Sequence, residues 1–358
     1  MKTTFLKYIL FSLSVLFFYS SCDDDNLNTP TGPTGPTHGG IFILNEGAWT
    51  QNNASLTYYN YKTNDSIIDI FNGRLGDTAQ DMIIYGGKLY ITVSESNTIA
   101  VVDVNTLEEL QYIPLQLEDK NFTKPRYLEA YKGKIYTSIY EGYVVKIDTT
   151  NLKIEAAVEV GRNPEGIVAY QDELFVANSG GMDFLSPDKT LSIINLNTFK
   201  EKEKVEVGTN PYRLKADNKG NIYLTYQGIY GVSSGGFQHY NIATKEVKDI
   251  ASYPKQDFVL SNDLIYYYDV TYDDMGNYTH TLGLYDTEKQ AFLTESFIKD
   301  GTIIQGKPYG IGVHPLDKDV YLAISNSRDR GDVYIFDESG KFKQNLKAGI
   351  NPNKVIFY

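Results

Sequence analysis

The side chains best suited to chemistry are few and scattered. Four histidines, His38, His239, His280 and His314, share no spacing that would bring two of them to one metal ion. No HxxxH, CxxC, glycine-rich phosphate loop or nucleophile elbow is present. Glu46, Glu95, Glu141 and Glu165 are the carboxylates able to approach a common centre, but acidic residues in surface loops are usually only solvated. Asp273-Asp274-Met275-Gly276-Asn277 offers oxygen ligands to calcium around a glycine. It lacks the spaced carboxylates and distant Glu of an EF-hand loop, so calcium there stays an open alternative and no metal ligand is assigned. What remains is recognition chemistry: Trp49, Tyr140, Phe184, Tyr230, Phe237 and Tyr272 to cover a flat ligand, and Arg126, Arg162, Arg213 and Arg328 to bond its edge. The sequence therefore predicts a binding protein, without catalytic residues and without a cofactor of its own.

The elements that must hold these residues repeat along the chain. An apolar run ends in Asp or Asn at Asn60, Asp103, Asp148, Asn195, Asn241, Asp286 and Asp337, at intervals of 43, 45, 47, 46, 45 and 51 residues. An Asx side chain in that place bonds the backbone just ahead and fixes a tight turn, and Thr63, Thr106, Thr198 and Thr244 follow three residues on. Upstream of each turn, from the second repeat on, lies a strand marked by Tyr90, Tyr136, Phe175, Tyr223, Tyr266 or Tyr321. Before that comes an apolar stretch often opened by proline, as at Pro125, Pro164, Pro211, Pro308 and Pro352. About 45 residues carrying four short strands make one propeller blade, and seven marks predict seven blades. The first repeat begins at Ile41 with its second strand. The last eight residues, 351–358, form an opening strand with no repeat after it. Placing them in the first blade closes the ring and leaves no open sheet edge. The expected fold is all-β, a seven-bladed propeller over residues 41–358.

Blade geometry then separates two faces. The links between second and third strands, and those between blades, emerge together, opposite the Asx turns. The former run over 45–54, 94–97, 138–142, 178–189, 227–236, 269–280 and 325–331, and carry the aromatic residues named above together with Tyr278. Arg126, Arg162 and Arg213 fall near the blade-to-blade links, by the central channel, and Arg328 on the last long loop. Long aromatic loops on one face and short turns on the other predict binding on the loop face.

Net charge is −12, which speaks against nucleic acid as a partner. At the N-terminus, Lys2 and Lys7 precede an apolar stretch from Tyr8 to Phe18 of signal-peptide length. The lone cysteine, Cys22, has no partner for an internal disulfide. The segment Phe18-Tyr19-Ser20-Ser21-Cys22 resembles a loose bacterial lipobox, which implies removal of residues 1–21 and acylation of Cys22. Asp23, Asp24 and Asp25 look like the acidic tag that sends Bacteroidota lipoproteins to the outer face of the outer membrane. Without Lys2 and Lys7 the chain carries 31 basic against 45 acidic residues. From 26 to 40 the Pro, Gly, Thr and Asn composition reads as a solvated tether.

The stretch from Lys88 to Thr106, with Lys88-Leu89-Tyr90-Ile91-Thr92-Val93 and Ile99-Ala100-Val101-Val102-Asp103, resembles the YncE-like propeller repeat. Joined to an acidic-tagged surface lipoprotein, this layout resembles the BtuG family. The resemblance implies capture of cobalamin or a related corrinoid as a transported ligand, and hand-over to a BtuB-like TonB-dependent transporter. It implies a lipid-anchored position at the cell surface. A protein or glycan-uptake partner is the alternative within binding, and a lyase- or lactonase-type propeller the alternative from another class.

Overall fold

A computed structural model describes residues 39–358, except residues 62, 253–255, 274 and 295. The expected leader, Cys22, the acidic tag, the tether up to residue 38 and His38 lie outside the described residues. Within them the fold is all-β, and seven four-stranded antiparallel sheets form the blades of a propeller. One small hairpin, Gln116–Leu117 with Lys120–Asn121, stands apart in the link after blade 2.

Each blade runs outward from the channel. Blade 3 is typical, with Pro125–Tyr131 innermost, then Lys134–Ile139, Tyr143–Asp148 and Lys153–Glu159 outermost. The innermost strands of the other blades are Ala79–Tyr85 (blade 2), Pro164–Tyr170 (blade 4), Pro211–Ala216 (blade 5), Asp257–Ser261 (blade 6) and Lys307–Val313 (blade 7). Blade 1 takes its innermost strand from the other end of the chain. Pro352–Phe357 pairs antiparallel with Gly40–Asn45, so that Ile43 faces Val355 and Phe42 faces Ile356. The ring closes as expected, with its first strand starting at Gly40. Without the C-terminal strand, Gly40–Asn45 would be a bare sheet edge in the centre of the molecule.

The core lies between blades, in seven apolar clusters that match the seven interfaces of a closed ring. Strand alternation explains it: one side of each sheet meets the preceding blade and the other side the following one. The aromatic residues that mark the second strands all fall here, from Tyr90 and Phe175 at full burial to Tyr266 at 4% exposure. Burying each such ring stabilises the fold by about 1.5–3 kcal/mol. At the closing interface, Ile41, Ile43 and Tyr59 of blade 1 pack on Tyr321, Ala323, Val333 and Ile335 of blade 7.

The Asx turns behave as their chemistry requires. Asp103 accepts from the N–H groups of Asn105 and Thr106 at 2.9 and 3.0 Å, and Asp148 from Thr150 and Asn151 at 2.9 Å each. Asn195, Asn241, Asp286 and Asp337 cap the turns after their strands in the same way. The Thr106 N–H holds the Asp103 carboxyl below its usual range.

Candidate functional site

Proline opens an innermost strand where no N–H is needed, and a bulge follows it. The register with the second strand shifts between Pro125 and Leu128, between Pro164 and Ile167, and between Pro211 and Leu214. The residues released by these bulges meet at the loop-face end of the channel. Arg126 binds Glu165 through two parallel bonds of 2.8 and 3.0 Å and donates to Gln80 at 2.7 Å. Its guanidinium lies 5.0 Å from the Tyr140 ring centre. Arg213 pairs with Asp257 at 3.3 Å, donates to the Tyr127 hydroxyl, and lies 4.6 Å from the Tyr212 ring centre. The Tyr127 hydroxyl in turn donates to Tyr212 at 3.0 Å and accepts from Gln80 at 2.9 Å. Tyr309 donates to Glu46 beside them.

This network is a floor, and its charges are spent within it. Arg126 and Glu165 are 18% and 6% exposed, and such a buried pair is tolerable only because its bonds are nearly all satisfied. Burial pushes the Glu46 carboxyl up, against the Tyr309 bond and the two arginines that pull it down. Burial also raises the Tyr127 and Tyr309 hydroxyls, so both stay protonated donors.

Around the floor stands an apolar rim. Trp49 is 75% exposed, Phe184 76% and Tyr230 fully so, and Met182, Leu185, Val232, Tyr272 and Met275 are exposed with them. Every one lies on a second-to-third-strand link or its flanks. Trp49 and Arg328 share one cavity of about 720 Å³ with Lys307, Tyr309, Ser325 and Asn351. Arg162 serves the rim by holding a loop, bonding Asp183 at 3.3 Å and the Ser186 carbonyl at 2.8 Å. Tyr272 packs edge-on against Tyr278 and under the Lys307 ammonium.

Three expectations need correction. Phe237 is not a loop residue: it pairs with Thr225 inside blade 5 and is fully buried against Phe258 and Tyr285. It follows Gly235 and Gly236, and the strand resumes there earlier than the glycines suggest. The expected long link over 269–280 is mostly strand, since pairing continues to Tyr272 facing Tyr278. Threonine and tyrosine flanking a polar turn extend a hairpin more readily than they form a loop. The link over 325–331 likewise shrinks to Ser327 and Arg328. Within the turn of blade 6, Asp273 accepts from the Met275 and Asn277 N–H groups, which close the turn on that carboxylate.

The floor residues Gln80, Tyr127, Tyr212, Asp257 and Tyr309 were not singled out from the sequence. The signal was present: four of the five sit one or two positions after the start of an innermost strand, where Arg126, Glu165 and Arg213 also sit. The carboxylates Glu46 and Glu165 reach the floor, whereas Glu95 and Glu141 stay at its margin, bonding Lys124 and the Thr123 N–H. The described histidines do not converge on it. His314 pairs with Asp317 at 2.8 Å on the turn face, and burial lowers His239 and His280. Among the described residues no helix is long and apolar enough to cross a membrane.

Comparison with known proteins places the fold. A putative 6-phosphogluconolactonase from Bacteroides fragilis superposes with a TM-score of 0.62 at 13% identity, over 90% of this chain and all of that one. Hydrazine synthase of Kuenenia stuttgartiensis gives 0.62 at 15%, over 75% and 86% of the two chains. The dihydro-heme d1 dehydrogenase NirN, in complex with DHE, gives 0.57 at 10%, over 92% and 77%. At such identities the likeness is one of fold alone. No curated protein matches the sequence. Residues 39–353 match a single family across nearly the whole propeller, and the chain belongs to that family, the domain of unknown function DUF5074.

Proposed function

We propose that the protein is a capture propeller, a surface lipoprotein anchored through Cys22 that holds a corrinoid on its loop face without transforming it. The observation that carries this reading is the pairing of an exposed aromatic rim with a floor whose charges are already neutralised. Such a surface offers ring faces, phenol hydroxyls and amides, and it suits a broad, uncharged, amide-edged ligand better than an ionic one. Trp49, Tyr140 and Tyr230 cover the macrocycle, and Arg328 with the side chains around its cavity bonds the periphery. Delivery to a BtuB-like TonB-dependent transporter follows from the resemblance to the BtuG family. The test is optical. Purified protein incubated with cyanocobalamin and desalted should keep the corrinoid absorbance in a one-to-one ratio. Colourless protein would overturn the ligand, and surface anchoring of a Cys22→Ala variant would overturn the lipoprotein reading.

A further inference from the structure

Below the floor the channel widens into a second cavity of about 600 Å³, bounded at its far end by the short turns at Asn262 and Pro315 to Lys318. Tyr127 and Arg213 form its roof, so it is separate from the loop-face site. Two glycines make the room. The position occupied by Asp81, Tyr127, Arg213, Asp257 and Lys354 in five blades is Gly166 in blade 4 and Gly310 in blade 7. A Cβ there would lie 2.4 Å from the Tyr212 carbonyl oxygen and 2.5 Å from that of Asn353, so neighbouring strands run too close for any side chain.

Two residues further along each innermost strand, five blades carry Ile83, Val168, Val259, Gly312 and Ile356. The other two carry Glu129 and Lys215, opposite charges on blades 3 and 5, with blade 4 between them. Lys354 is taken by Asp81 at 2.6 Å, and Asp257 by Arg213. Among the described residues, neither the Glu129 carboxylate nor the Lys215 ammonium makes a side-chain hydrogen bond or ion pair. Glu129 has only the Ala130 N–H. The two charges attract each other across the cavity without touching, and a buried pair held apart in this way is costly unless something fills the gap between them.

We propose that this cavity binds a small zwitterion of the α-amino-acid class, its carboxylate on Lys215, its ammonium on Glu129 and its apolar side chain against Ile83, Val259 and Ile356. In the body of the cavity the carboxylates Asp81, Glu129 and Asp257 match the cations Arg213, Lys215 and Lys354, and Lys318 adds a fourth cation at the far-end turns. Burial raises Glu129 to about 7 against the pull of Lys215 and Lys354, and burial with Lys354 lowers Lys215 against the pull of Asp81, Asp257 and Glu129. A bound zwitterion restores both charged forms, and its affinity should rise with pH through about 7.

The probes are L-leucine, isovalerate, which lacks the ammonium, and isoamylamine, which lacks the carboxylate. With the purified protein, L-leucine should raise the melting temperature in a dose-dependent way, and the two single-charge analogues should do so far less. Glu129→Gln and Lys215→Met should each weaken leucine about tenfold or more, and Trp49→Ala should leave it unchanged. The ligand series needs no variant, so it stands even if one fails to fold. No shift with leucine, or equal shifts with all three probes, would overturn the proposal. So would undiminished binding by folded Glu129→Gln and Lys215→Met proteins.

Discussion

The two faces of this propeller are built from the same seven blades and differ in how much their connections repeat. On the turn face each third strand ends in an Asx residue whose side chain closes the next turn, as at Asp103, Asp148 and Asn195. On the loop face, the corresponding links range from the two residues Ser327 and Arg328 to the long segment between Asn178 and Thr190. The exposed aromatics Trp49, Phe184 and Tyr230 stand there. A turn held by its own side chain has little freedom to vary, whereas a loop that contributes little to the core is free to carry recognition. The contrast separates residues that maintain the ring from residues that use it.

The largest effect should come from removing what both faces share. Deleting residues 351–358 takes the innermost strand from blade 1 and leaves the Gly40–Asn45 edge bare. Cooperative thermal unfolding should be lost, with proteolysis spreading from blade 1. A truncated protein melting like the full chain would show that ring closure contributes little.

Next is a pair of aromatic residues from one blade. Phe237→Ala should destabilise the fold by about 3–5 kcal/mol in chemical denaturation, because it empties a filled interface between blades 5 and 6. Tyr230 is fully exposed, and Tyr230→Ala should leave stability unchanged. Equal effects of the two would erase the distinction between scaffold and surface.

A smaller, pH-dependent effect should appear at the turn-face end of the channel. Glu129 titrates near 7 in the folded protein against 4.5 when free, so its ionisation opposes folding. Its contribution is most favourable below about pH 4.5 and is lost as pH rises through 7. Glu129→Gln should remove that loss, on the order of 1–3 kcal/mol, from the stability profile between pH 5 and about 8. A profile of unchanged slope would count against burial as the cause. The smallest effect belongs to a single turn: Asp103→Ala should cost about 1 kcal/mol in stability.

The same contrast explains what was legible in the sequence. Repeats announce themselves where physics demands the same residue in every blade, and so the Asx turns, the buried tyrosines and the closing strand from Pro352 were readable. The floor was readable only at Glu46, Arg126, Glu165 and Arg213, because each blade contributes a different residue at an equivalent place: Gln80, Arg126, Glu165, Tyr212 and Tyr309. Their meeting depends on ring closure and on a bulge after each opening residue, and neither leaves a motif. Phe237 was misplaced because Gly235 and Gly236 look like loop, yet the strand starts at Gly236, where a Cβ would strike the Tyr226 ring.

The claim that recognition belongs to the loop face is tested most directly by titration calorimetry with cyanocobalamin on the intact propeller and two sets of variants. Trp49→Ala and Tyr230→Ala should each weaken binding by about 1–3 kcal/mol with stability unchanged, while Asp103→Ala and Thr198→Ala should leave affinity at the parent value. Affinity lost through the turn-face variants and kept by the loop-face ones would contradict the account.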